Sequence, residues 1–139
     1  MNKKNAITLL LLLLLSLRVS AQKWDELSKT PQMGWSSWNK FQGNIDEDII
    51  KSIADAMVSS GLRDAGYIYV NIDDCWHGKR DSNGFIQADP KHFPHGIKAL
   101  ADYIHARGLK LGIYSDAGSE TCAGRPGSLG HEYQDALQY

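Results

Sequence analysis

Cysteine is scarce. The 139-residue chain has two, Cys75 and Cys122. Two cannot build a disulfide-rich scaffold, so the fold must rest on its apolar core. There is no Gly-x-Gly-x-x-Gly and no phosphate loop. A nucleotide-binding reading therefore lacks its key turn. Lys and Arg form no run or patch, which disfavours nucleic acid and anionic membrane as partners. The five histidines, His77, His92, His95, His105 and His131, are scattered. Asp73, Asp74 and His77 stand close in sequence, but no further ligand at useful spacing completes a metal site. No internal repeat is evident beyond an alternation of strand and helix patterns.

The longest apolar run, Ala6 to Leu17, has 12 residues. A spanning helix needs about 20. Lys3 and Lys4 precede the run, and Val19-Ser20-Ala21 follows it as a small-residue cleavage site. This is the pattern of a signal peptide over residues 1–21, cut after Ala21, and it implies a secreted or periplasmic protein. Gln22 follows the cut, so no lipoprotein cysteine anchors the chain and no membrane association is expected afterwards. Removing the signal takes three basic residues with it. The mature chain then has 12 basic against 16 acidic residues, a net charge of −4.

The most informative stretch is Tyr67-Ile68-Tyr69-Val70-Asn71-Ile72-Asp73-Asp74-Cys75-Trp76. Its aromatic and β-branched residues read as a buried strand. It ends in two carboxylates, which are costly to bury unless hydrogen-bonded. Ligands in α/β proteins sit at strand carboxyl ends. Asp73 and Asp74 are therefore candidates to hold a polar ligand. The alternative is a solvated loop in which Asp caps a helix or forms a turn.

Met33 to Trp38 reads as an earlier strand passing into a loop, with Gly34 placed for close backbone approach. Trp38 is either a core residue or an apolar face for a sugar. Asn44 and Glu47 form a capping-box pattern, followed by an apolar stripe at Ile45, Ile49, Ile53, Ala54, Met57 and Val58. Gly61 closes that helix. Asn83-Gly84 is a hairpin signal within a long loop, Cys75 to Phe93. Pro94 opens a second helix with a stripe at Ile97, Leu100, Ala101 and Ile104. Leu109 to Tyr114 is a third strand, and a last helix starts near His131. Strands alternating with helices argue for parallel β/α units.

Six motifs carry a family resemblance. They are Thr30-Pro31-Gln32-Met33-Gly34-Trp35, Ile72-Asp73-Asp74-Cys75-Trp76, Gln87-Ala88-Asp89-Pro90, Phe93-Pro94-His95-Gly96, Lys110-Leu111-Gly112-Ile113-Tyr114 and Thr121-Cys122-Ala123-Gly124. In this order and spacing they resemble the amino-terminal part of family 27 glycoside hydrolases, the α-galactosidases and α-N-acetylgalactosaminidases. The resemblance implies a (β/α)8 TIM barrel, of which about the first three β/α units are present over residues 22–139. It implies that Trp38, Asp73, Asp74 and Tyr114 bind the galactose of an α-galactoside, with Cys122 near the site. It implies retaining hydrolysis without a cofactor. The family's nucleophile, in a Tyr-x-Lys-x-Asp-like motif, and its acid/base are expected beyond Tyr139, so the 139 residues alone are expected to be inactive.

Other expectations follow from the same likeness. A galactose-binding product without chemistry is one alternative. An α-N-acetylgalactosaminidase or β-L-arabinopyranosidase of the same family is another. In many relatives the Cys after the Asp pair bridges to one in the first loop, but Phe41-Gln42-Gly43-Asn44 has none, and the partner of Cys122 would lie past the fourth strand. Neither family bridge is expected here, and a Cys75–Cys122 pair stays open.

Overall fold

The computed structural model describes residues 29–139; the expected signal peptide lies outside them. Its compact unit spans Gln32–Tyr139. Five strands and four helices follow in order: β1 Gly34–Ser36, α1 Trp38–Phe41, α2 Glu47–Ser59, β2 Tyr69–Ile72, β3 His77–Arg80, β4 Ile86–Ala88, α3 Gly96–His105, β5 Lys110–Ile113 and α4 Glu132–Gln138. Among the described residues no helix is long and apolar enough to cross a membrane.

β1, β2 and β5 form one sheet with β2 in the middle. Both pairings are parallel, with Ser36 beside Asn71 and Ile72 beside Ile113. The expected β/α alternation is thus realised in three strands whose carboxyl ends share one edge. β2 buries Val70 and Ile72 against the helices α2 and α3. The other side of the sheet is crowded in a different way. A Cβ at Gly34 would lie 2.3 Å from the Tyr69 carbonyl oxygen, so only glycine fits this crossing.

The α2 cap differs from the capping box read in the sequence. Asp46, not Asn44, is the N-cap, and its carboxylate accepts the Ile49 N–H at 2.7 Å. An anion there also meets the positive end of the helix dipole. Glu47 cannot close a box with Asn44 because it is buried and engaged elsewhere. It faces His95 Nδ1 at 2.6 Å and Lys51 Nζ at 3.2 Å. The buried stripe is also shifted. Ile50, Ala54 and Met57 are its centre, and Ile49 is only half-buried. Ile45 misled the count: it lies before the helix and reaches the core from the loop. Gly61 does close the helix, at φ +82°.

α3 begins two residues after Pro94, which sits in a preceding turn. Leu100 and Ile104 are its buried face. The stretch from Cys75 to Phe93 is more ordered than a simple loop. β3 and β4 pair antiparallel within it around the Asn83-Gly84 turn, and Gly84 takes φ +88°. The Asp81 carboxylate ties that turn by accepting the N–H groups of Asn83 and Phe85. α4 is docked onto the hairpin by Arg80. The guanidinium donates to both oxygens of Asp135, each at 2.7 Å.

Candidate functional site

The site grows from the ends of the three parallel strands. Ser37 follows β1, Asp73 follows β2 and Tyr114 follows β5. Ser37 is fully buried, at 0 % exposure. Its N–H donates to the Asn71 carbonyl at 3.1 Å, which extends the β1–β2 ladder by one step. Its hydroxyl accepts the Asp73 N–H at 2.9 Å. On the other side the Tyr114 N–H donates to the Ile72 carbonyl at 3.0 Å. Tyr114 is therefore set by the backbone ladder, Asp73 by the Ser37 hydroxyl, and Trp38 follows the ladder-bonded Ser37.

Trp38 starts the short helix α1 and is 36 % exposed, so it is not a core residue. Of its two readings, the structure leaves the exposed aromatic face. Asp73 is half-buried, and one of its oxygens accepts the Asp74 N–H at 2.8 Å. The other oxygen makes no hydrogen bond within the described residues.

The two adjacent acids are not equivalent. Asp74 is 1 % exposed. Its Oδ1 accepts the Cys75 N–H at 2.7 Å and the Thr121 hydroxyl at 2.9 Å. Its Oδ2 accepts the Ala123 N–H at 2.9 Å. A carboxylate offers about four acceptor positions, so Asp74 keeps one, on Oδ2. The buried charge is satisfied by pinning the 121–123 loop against the end of β2. The next residue carries backbone strain. Cys75 takes φ +77°, a left-handed conformation rare outside glycine.

Tyr114 is half-buried. Its hydroxyl lies 3.5 Å from Asp116 Oδ2 and 3.9 Å from Cys122 Sγ. Burial first, then the Cys122 thiol, pushes its phenol up to about 12. It is therefore a protonated donor at any physiological pH. Behind it, Trp76 Nε1 donates to the Tyr114 carbonyl at 2.8 Å.

Cys75 is buried and Cys122 exposed, and both are free thiols, so the Cys75–Cys122 pairing left open above is not formed. Among the described residues no group of His, Cys, Asp and Glu is arranged to hold a metal ion. A cavity of about 850 Å³, lined by Lys79, Asp89, Phe93, Pro94, Arg125 and Pro126 among others, includes none of Trp38, Asp73, Asp74 or Tyr114.

Two positioning residues were not legible in the sequence, Ser37 and Thr121. Their hydroxyls act across long sequence separations. Only the adjacency of Ser37 to Trp38 and of Thr121 to Cys122 hinted at them.

Known proteins share this fold. The family model described as alpha galactosidase A (Melibiase_2) matches residues 30–139. Alpha-galactosidase A of Cellvibrio japonicus is 72% identical over 127 residues, which is 91% of this chain and 31% of that protein. The crystal structure of alpha-galactosidase I from Mortierella vinacea superposes with a TM-score of 0.80 at 54% identity, over 81% of this chain and 29% of the other. The α-galactosidase of Saccharomyces cerevisiae with raffinose gives a TM-score of 0.78 at 48% identity, over 79% and 24%. The chain thus spans about a third or less of the length of these relatives. With four-fifths of its residues under one family model and its fold shared with that family's crystal structures, the chain belongs to the alpha galactosidase A family.

Proposed function

We propose that residues 29–139 are the sugar-recognition part of a retaining α-galactosidase built on a (β/α)8 barrel. The observation that carries this reading is the convergence of Trp38, Asp73 and Tyr114 at the carboxyl ends of three adjacent parallel strands. Asp73 presents a carboxylate oxygen that no donor among the described residues occupies, suited to charge-assisted hydrogen bonds from sugar hydroxyls. Tyr114 supplies a donor. Trp38 supplies an apolar wall for a sugar face. Asp74 holds the 121–123 loop and offers the ligand its one remaining acceptor position. A site that demands several hydroxyls at fixed places rejects a sugar that presents one of them wrongly, because its polar groups stay unpaired.

Hydrolysis belongs to the longer protein. Retaining glycosidases need two carboxyl groups about 5 Å apart across the scissile bond, one as nucleophile and one as acid then base. Asp73 and Asp74 do not form such a pair, because Asp74 is committed to Cys75, Thr121 and Ala123. The nucleophile and acid/base are assigned to later strands, the substrate is a terminal α-galactoside, and residues 1–21 direct export. Purified 139-residue chain is expected to leave an aryl α-galactoside intact. Turnover that disappears in Asp73→Ala would overturn the division of labour proposed here.

A further inference from the structure

His77 is the most buried titratable side chain among the described residues. It is 0 % exposed at the start of β3, and among the described residues neither ring nitrogen has a partner in good hydrogen-bond geometry, although the Tyr114 carbonyl stands near the ring. Leaving both nitrogens of a buried imidazole unpaired is unfavourable, so the position calls for a reason. Its surroundings supply one. The ring stacks on Trp76 at 4.2 Å and meets the Tyr114 ring edge-on at 6.3 Å. Nδ1 lies 3.8 Å from Asp74 Oδ1. That is too long for a hydrogen bond but close for a charge facing a bond dipole in a dry site.

We propose that His77 is a positioning residue for the sugar site: a neutral imidazole held as the Nδ1–H tautomer, whose N–H dipole fixes the Asp74 carboxylate while its ring braces Tyr114. The assignment rests on the galactoside reading of the site. The tautomer follows from charge. An Nδ1 lone pair would face a carboxylate and be repelled, whereas an Nδ1–H is attracted. The competing acceptor that faces the ring, the Tyr114 carbonyl, is uncharged and shared with the Trp76 N–H, so it holds an N–H less strongly than a carboxylate does. The neutral state follows from burial, which, with the Arg125 and Arg80 charges, pushes the imidazole down to about 4 against the pull of Asp74.

Two measurements on the full chain test this. Long-range proton–nitrogen NMR of the His77 ring at neutral pH is expected to show a protonated Nδ1 and a bare Nε2. The opposite tautomer overturns the proposal. Galactose titration of His77→Asn and His77→Phe gives the second reading. Asn keeps an N–H near the Nδ1 position, and Phe keeps the stacked ring. Positioning through the N–H predicts affinity within about threefold of wild type for Asn and about fivefold or more weaker for Phe. Pure packing predicts the reverse order and would overturn the proposal. If the wild-type chain binds no galactose, the galactoside reading fails, and the NMR tautomer still decides the role of His77.

Discussion

The Ser37 hydroxyl accepts the backbone N–H of Asp73 at 2.9 Å, joining the end of β1 to the end of β2 across 36 residues. This single bond ties the residue before the exposed Trp38 to the backbone of Asp73. It also satisfies a backbone donor at the point where the β1–β2 ladder ends. Ser37→Ala leaves that N–H unpaired, which costs about 1–3 kcal/mol in a buried setting. The expected result is a lowered melting temperature together with weaker galactose binding. The exposed Ser52, whose hydroxyl only donates to the Ile49 carbonyl one helical turn back, serves as the control. Ser52→Ala is expected to change stability by no more than about 0.5 kcal/mol.

Arg80 and Asp135 form the two-pronged clasp that docks α4 onto the hairpin, with Asp135 1 % exposed. Removing one partner leaves the other charge uncompensated. Asp135→Ala is expected to lose about 3 kcal/mol, read by urea denaturation. Replacing both residues with apolar ones of similar size is expected to lose less than Asp135→Ala alone.

The first loop passes directly over the strained Cys75. A Cβ at Gly43 would stand 2.9 Å from Cys75 Sγ and 3.6 Å from its Cβ. The second distance lies within the range that disulfides span. Gly43→Cys is expected to oxidise onto Cys75 and to stabilise the fold by about 3–4 kcal/mol in the chain-entropy view. Thiol titration under denaturing conditions should then find one free thiol, that of Cys122, in place of two. Three free thiols would show that the loop does not hold this approach.

Acid should undo the fold through two depressed carboxyls. Burial raises the Glu47 carboxyl, but hydrogen bonds from His95 and Lys51 outweigh it and leave it below its ordinary 4.5. The Arg80 guanidinium holds Asp135 below its ordinary 3.8. A carboxyl depressed in the folded state stabilises above its unfolded value and ceases to as the pH falls through its folded one. Stability should therefore be level above about pH 5 and fall progressively below about pH 4. His95→Ala removes the shortest of the Glu47 contacts and should move the onset of acid unfolding to higher pH.

The parallel strand order was legible because buried strands leave a plain signature. Val70 and Ile72 in β2, and Leu111 and Ile113 in β5, are apolar runs bounded by turn residues. Asp73 stood out as a candidate because a carboxylate ending such a run has little structural use. Asp74 looked the same in sequence, yet it is buried and committed to Thr121 and Ala123, which lie 47 and 49 residues away. Nothing local distinguishes the two acids. Ser37 escaped notice for the same reason, since its partner is set by strand register. The α2 cap was misplaced because Glu47 matched the local pattern while a tertiary contact with His95 claimed its side chain.

The central claim is that the edge formed by Trp38, Asp73 and Tyr114 recognises galactose. Its most direct test is a titration of the purified chain with galactose and with glucose, which differ only at the 4-hydroxyl, followed through the Trp38 indole resonance. The account predicts a saturable shift of that resonance with galactose, none with glucose at the same concentration, and loss of the shift in Asp73→Ala. Equal responses to the two sugars, or a galactose response that survives Asp73→Ala, would contradict it.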